Sequence, residues 1–121
     1  MSNKEKWPPE SGAVIHVTHL IERLDALEER ENVRFEALSA RIEVPNVEPY
    51  LSVFGEIHPS NGLEIAYELK VVVNAYDPQG RLLDIGWCPV DPKKFYGFQA
   101  FEIVTKLSGP ITKIRLYPQK R

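Results

Sequence analysis

Cysteine is nearly absent: Cys88 is the one example among 121 residues. No disulfide can form within the chain, which excludes the small domains that are stapled by such bonds. No run approaches the roughly 20 apolar residues that cross a bilayer. The opening segment MSNKEKWPPESG lacks an apolar stretch, so a secretory signal is not expected as the sequence stands. Clustered Cys/His metal motifs, a glycine-rich phosphate loop, internal repeats and low-complexity tracts are missing too. These absences lead to the expectation of a cytoplasmic protein that stays off membranes, with no cofactor, no metal ion and no catalytic residues, hence not an enzyme.

What is present suffices for a core. The hydrophobic fraction is 43%, ordinary for a globular chain, and the length suits one domain with at most an appendage. Charge is uneven. Residues 1–92 hold 8 Lys/Arg against 16 Asp/Glu, whereas residues 93–121 hold 7 against 1. Such a split marks either an anionic partner or two parts of one assembly that attract each other, and the second reading is favoured.

Residues 1–12 read as a flexible tail, with Trp7 beside Pro8-Pro9 as its one feature of note. Residues 13–36 read as an amphipathic helix, capped by Ser11. Val17, Leu20, Leu24 and Leu27 recur at spacings of 3, 4 and 3, with Ile21 beside them. That is a coiled-coil seam, and it predicts a homo-oligomer held by Val17, Leu20, Ile21, Leu24 and Leu27. Packing of the same helix on its own domain is the other reading. The seam is interrupted by Glu31.

Residues 37–121 read as a β-sandwich of six or seven short antiparallel strands. Alternation at Leu38, Ala40, Ile42 and Val44 gives the first strand. Leu51, Val53 and Ile57 share a face of the next, with Gly55 as a bulge or close-packing point. His58 to Gly62 is a turn cluster. The longest candidate runs from Leu63 to Tyr76. Asp77-Pro78-Gln79-Gly80 is a strong turn signal, and Arg81 to Val90 is the return strand. An aromatic strand, Phe95 to Val104, and a closing strand, Ile111 to Tyr117, complete the pattern, with Pro118 ending the pairing.

The segment Val71-Val72-Val73-Asn74-Ala75-Tyr76-Asp77-Pro78-Gln79-Gly80-Arg81-Leu82-Leu83 resembles the FxLYD type of immunoglobulin-like domain. There an apolar strand ends in Tyr-Asp, turns through a glycine and returns with apolar residues. Val53-Phe54-Gly55-Glu56-Ile57 is similar to the upstream Val-x-Gly-x-Val strand of that family. The resemblance covers residues 50–117 and implies an immunoglobulin-like sandwich serving as a non-enzymatic binding or assembly module. It carries over no functional residues.

Individual candidates for chemistry have plain alternatives. Cys88 reads as a structural thiol, because a nucleophile needs a neighbouring base. His16 and His19 share a helix face by spacing, but two histidines do not make a closed zinc site. The acid pairs Asp84 with Asp91 and Glu64 with Glu68 read as ordinary strand surface. The run Phe95-Tyr96-Gly97-Phe98-Gln99-Ala100-Phe101 is either core or partner surface. The leading function is therefore a protein–protein interaction and assembly module. The alternative is a sandwich that binds carbohydrate or nucleic acid through Trp87, Tyr96, Phe98, Lys93, Lys94, Lys113 and Arg115, with nucleic acid disfavoured by the acidic chain as a whole.

Overall fold

The computed structural model describes residues 7–46 and 48–121. In chain order the elements are β1 (Val14–His16), a 3₁₀ turn (Thr18–Leu20), β2 (Ile21–Arg23), α1 (Asp25–Arg30), β3 (Val33–Glu43), β4 (Tyr50–Pro59), β5 (Leu69–Tyr76), β6 (Leu82–Val90), β7 (Gln99–Lys106) and β8 (Lys113–Lys120). They form two four-stranded sheets. The first has the order β1-β3-β4-β7 and the second β2-β8-β5-β6. All pairings are antiparallel except that of β2 with β8. The protein is mainly β, as its alternating pattern predicts.

The core draws alternate residues from both sheets. Phe35, Leu51, Val53 and Ile57 come from the first, and Leu69, Val71, Val73, Ile114 and Leu116 from the second; all are buried. Gly55 is a close-packing point. A Cβ there would stand 2.5 Å from Leu38 Cδ2 and 2.8 Å from Phe101 Cζ, so no larger residue fits without moving both. The β5–β6 turn uses the chemistry its sequence advertises. Asp77 Oδ1 accepts the amides of Gln79 (2.9 Å) and Arg81 (2.8 Å), and Gly80 adopts φ +81°.

The helix expected over residues 13–36 does not form. Only Asp25–Arg30 is α-helical; the rest is strand and turn. The reason lies in competing local preferences. Val14, Ile15, Val17, Thr18 and Ile21 are β-branched, which weakens helix and favours strand. The backbone here has partners outside itself: Val17 N–H donates to Ala40 O (2.9 Å), and Thr18 Oγ1 accepts from Ala40 N (3.1 Å). Val33 and Phe35, buried either side of exposed Arg34, obey a period of two and already belong to β3.

Other boundaries shift for similar reasons. The strand expected from Leu63 starts at Leu69; Leu63 is exposed, while Ile65 and Tyr67 lie against the core from an irregular segment. β4 runs on through His58 and Pro59, past the expected turn. The aromatic strand starts at Gln99, because Gly97 at φ +80° turns the chain before it. β8 continues through Pro118, which lies opposite Val71. Of the expected tail, residues 1–6 lie outside the described residues. Trp7 packs partly buried against the core, and Gly12 N–H donates to Val44 O (2.6 Å), so residues 7–12 are docked.

Candidate functional site

The outer face of the second sheet is set by register. Pairing across β6, β5 and β8 places Trp87 beside Val72 beside Tyr117, and Ile85 beside Asn74 beside Arg115. The next rows are Leu82–Tyr76–Lys113 on one side and Pro89–Lys70–Gln119 on the other. Odd-numbered residues of β5 fill the core, so its even-numbered ones must point outward. Val72 is nevertheless only 4% exposed, whereas Trp87 is 48% and Ile85 55% exposed. An apolar centre is thus already shielded from water on a face that otherwise meets solvent.

Cations lie over the rings of this face. Lys70 Nζ is 5.0 Å and Arg121 Cζ 5.4 Å from the centre of the Trp87 ring. Lys113 Nζ and Arg115 Cζ lie 5.3 and 5.2 Å from that of Tyr76. Ring quadrupoles attract cations at this range and hold long side chains in place. Asn74 Nδ2 donates to the hydroxyls of Tyr76 (3.3 Å) and Tyr117 (3.2 Å), tying the aromatics together. Glu22 accepts from Arg115 Nε at 2.8 Å; this bond pulls the Glu22 carboxyl below its usual range and raises Arg115. Glu68 pairs with Arg121 at 3.4 Å.

The edge of β6 is closed rather than open. The carbonyls of Ile85 and Pro89 accept from Thr105 Oγ1 and Gln99 Nε2, both at 3.3 Å. Gly86 permits this approach, since a Cβ there would meet Ile103 Cγ2 at 3.0 Å. These bonds hinder a partner strand from extending the sheet at β6.

The residues singled out in the sequence fall into two places. Trp87, Lys113 and Arg115 stand together on this face. Tyr96, Phe98, Lys93 and Lys94 belong to the β6–β7 connection. Of the aromatic run, Phe95 and Phe101 are core, whereas Tyr96 and Phe98 are exposed. Lys93, Lys94 and Tyr96 line a shallow pocket with Leu63 and Glu64, and Phe98 stacks on His58. Lys70, Val72, Asn74 and Tyr76 share a face by alternation along the strand, whereas Tyr117 joins them only through the β5–β8 register and Arg121 through its contact with Trp87.

The expected oligomerisation residues do not form one helical seam. Val17 is core, and Leu20 and Ile21 pack partly buried against that core. Leu24 and Leu27 are half-buried, at the start of α1 and within it. The seam's periodicity came from residues that serve four different local structures. His16 ends β1 and His19 sits in the 3₁₀ turn, so they share no helix face. Burial pushes the Cys88 thiol up, which disfavours the thiolate. Asp84 accepts from Ser108 N (3.1 Å) and so ties β6 to the β7–β8 connection, while Asp91 accepts from Lys93 N (2.9 Å) within the β6–β7 connection.

Comparison with protein-family models, with curated proteins and with solved structures returns no match for the chain. No helix is long and apolar enough to cross a membrane among the described residues.

Proposed function

We propose that the protein is a non-enzymatic interaction module that binds an acidic protein segment on the outer face of the second sheet. The observation that carries this reading is the row Trp87–Val72–Tyr117, flanked by Lys70, Lys113, Arg115 and Arg121. Trp, Tyr and Arg are the residues that dominate protein interfaces, because they offer large rigid area together with directed charge. The surplus of cations steers an acidic partner and sets its orientation.

The test uses the two tryptophans. In a Trp7→Phe background only Trp87 reports. Titration with a Glu-rich peptide should change its emission, with an affinity that falls as salt rises. Binding should weaken at least about tenfold in Arg115→Ala, in line with an interface anchor. A response to single-stranded oligonucleotides in place of the peptide would favour the nucleic-acid reading, and no response to either would refute both.

An immunoglobulin-like relationship is part of this proposal. The orders β3-β4-β7 and β8-β5-β6 agree with the orders A-B-E and F-C-C′ of that architecture. On this reading β2 takes the edge beside F that strand G would fill, although it runs parallel to β8. Tyr76-Asp77 then ends strand C at the turn.

A further inference from the structure

On the outer face of the opposite sheet, three side chains converge that are far apart in sequence. β3 and β4 pair with Glu36 opposite Glu56 and Arg34 opposite His58. Glu56 and His58 are i, i+2 on β4, so all four point outward together. His58 Nε2 lies 2.9 Å from Glu56 Oε1 and 3.7 Å from Glu36 Oε1. One donor atom from each of Glu36, Glu56 and His58 falls within 4.8 Å of the other two.

We propose that Glu36, Glu56 and His58 form a binding site for a first-row divalent cation of the zinc class. The spacing is the first argument. An ion with bonds of about 2.0–2.1 Å sets its tetrahedral ligands roughly 3.3 Å apart, and octahedral neighbours roughly 3.0 Å apart. The two distances from His58 Nε2, 2.9 and 3.7 Å, bracket those values. Side-chain rotation would bring all three donors, which lie within 4.8 Å of one another, onto one ion, with water completing the shell.

The donor set is the second argument. One imidazole with two carboxylates suits zinc and its neighbours, and the carboxylates outnumber the one guanidinium, Arg34, that is paired with them. The third is orientation. Phe98 stacks on the His58 ring, with centroids 5.2 Å apart and planes at 12°. This fixes the plane of the ring, and the contact with Glu56 Oε1 at 2.9 Å turns Nε2 toward the carboxylates. Arg34 Nε binds Glu36 Oε2 at 2.6 Å and its Nη1 donates to Pro59 O at 2.9 Å. Arg34 is therefore a positioning residue: it occupies the outer oxygen of Glu36 and leaves Oε1 toward His58. The competing account is a bare hydrogen-bonded cluster of His58 with its carboxylates, which would take no metal.

The two accounts separate on titrating zinc chloride into the whole protein at neutral pH, in a non-coordinating buffer. Imidazole ¹⁵N resonances are followed together with calorimetry. The site predicts that the His58 ring shifts, with Nε2 as the ligated nitrogen. His58→Ala and Glu56→Gln should each weaken binding at least about tenfold, as losing a ligand does at minimum. Both positions are on the surface, and Glu56→Gln keeps a hydrogen-bonding group beside His58. The double variant His16→Ala/His19→Ala should bind zinc at His58 as the parent does. Unmoved His58 resonances at millimolar zinc would overturn the proposal. So would a loss confined to only one of the two single variants, which is incompatible with a shared ion.

Discussion

Glu28 and Glu31 are buried carboxylates whose partners explain both their position and the failure of the helical seam. Glu28 takes two hydrogen bonds from Arg23, at 2.7 and 3.1 Å, and a third from Phe35 N–H at 3.1 Å. Glu31, where the seam would place a leucine, accepts from the Tyr67 hydroxyl at 2.6 Å and from Arg30 at 3.2 Å. The Glu31 bond raises the Tyr67 pKa, because the phenol donates to a carboxylate. Replacing Glu28 by Ala strands the Phe35 amide and the Arg23 guanidinium. The expected cost is about 2 kcal/mol in denaturant unfolding, the range for charged hydrogen bonds. Gly55→Ala drives a methyl into Leu38 and Phe101; overpacking of that kind costs roughly 1–3 kcal/mol. Asp77 provides a pH prediction. The Arg81 amide, and then its guanidinium, hold the Asp77 pKa below the usual value. Its contribution to stability is therefore complete above the ordinary Asp range near pH ~4, and is lost as pH falls through the lowered folded value. Asp77→Asn should flatten that acid branch when denaturant midpoints are plotted against pH.

At the scale of elements, the segment from Val14 to Arg30 is built into the sheets. β1 pairs with β3, β2 pairs with β8, and Val17 is core. Val17→Ala should cost about 1–3 kcal/mol, since it removes buried methyls. Deletion of residues 1–24 should expose the β3 and β8 edges and leave a chain that unfolds or aggregates. A stably folded monomer after that deletion, shown by sedimentation and amide dispersion, would contradict this structural role. The same segment shows why legibility was uneven. Strands β4, β5 and β8 declared themselves through Leu51 and Val53, Val71 and Val73, and Ile114 and Leu116, because each has one face buried and a period of two. The turn at Asp77–Gly80 was legible because it needs no tertiary help. Strands as short as three residues carry no period, and Val17, Leu20, Leu24 and Leu27 happen to match a helical one. Only tertiary partners such as Ala40 reveal which won.

At the scale of the molecule, the two outer faces differ in chemistry. Both carry aromatic rings under cations, Arg41 over Phe54 at 4.6 Å on the first sheet, but four cations gather over Trp87 and Tyr76 on the second, and the first carries the Glu36–Glu56–His58 group. On the second sheet's face, Trp87, Lys113 and Arg115 were legible in the sequence as candidate binding residues. Tyr96 and Phe98 were joined to them because they are near in sequence, and the turn at Gly97 takes them elsewhere. The group on the first sheet was invisible. Its members are set side by side by the β3–β4 register, and His58 reads as turn until the strand is seen to continue. The charge split of the chain follows the same geometry in part: Lys113, Arg115 and Arg121 come from β8 and its end, on or beside the basic face. The central claim is that this face is where a partner docks. Its most direct test is amide shift mapping of the ¹⁵N-labelled protein with a Glu-rich peptide. The account predicts salt-sensitive shifts confined to Val72, Asn74, Ile85, Trp87, Arg115, Tyr117 and their neighbours. Shifts centred on Tyr96 and Phe98 or on the first sheet, or no shifts at all, would contradict it.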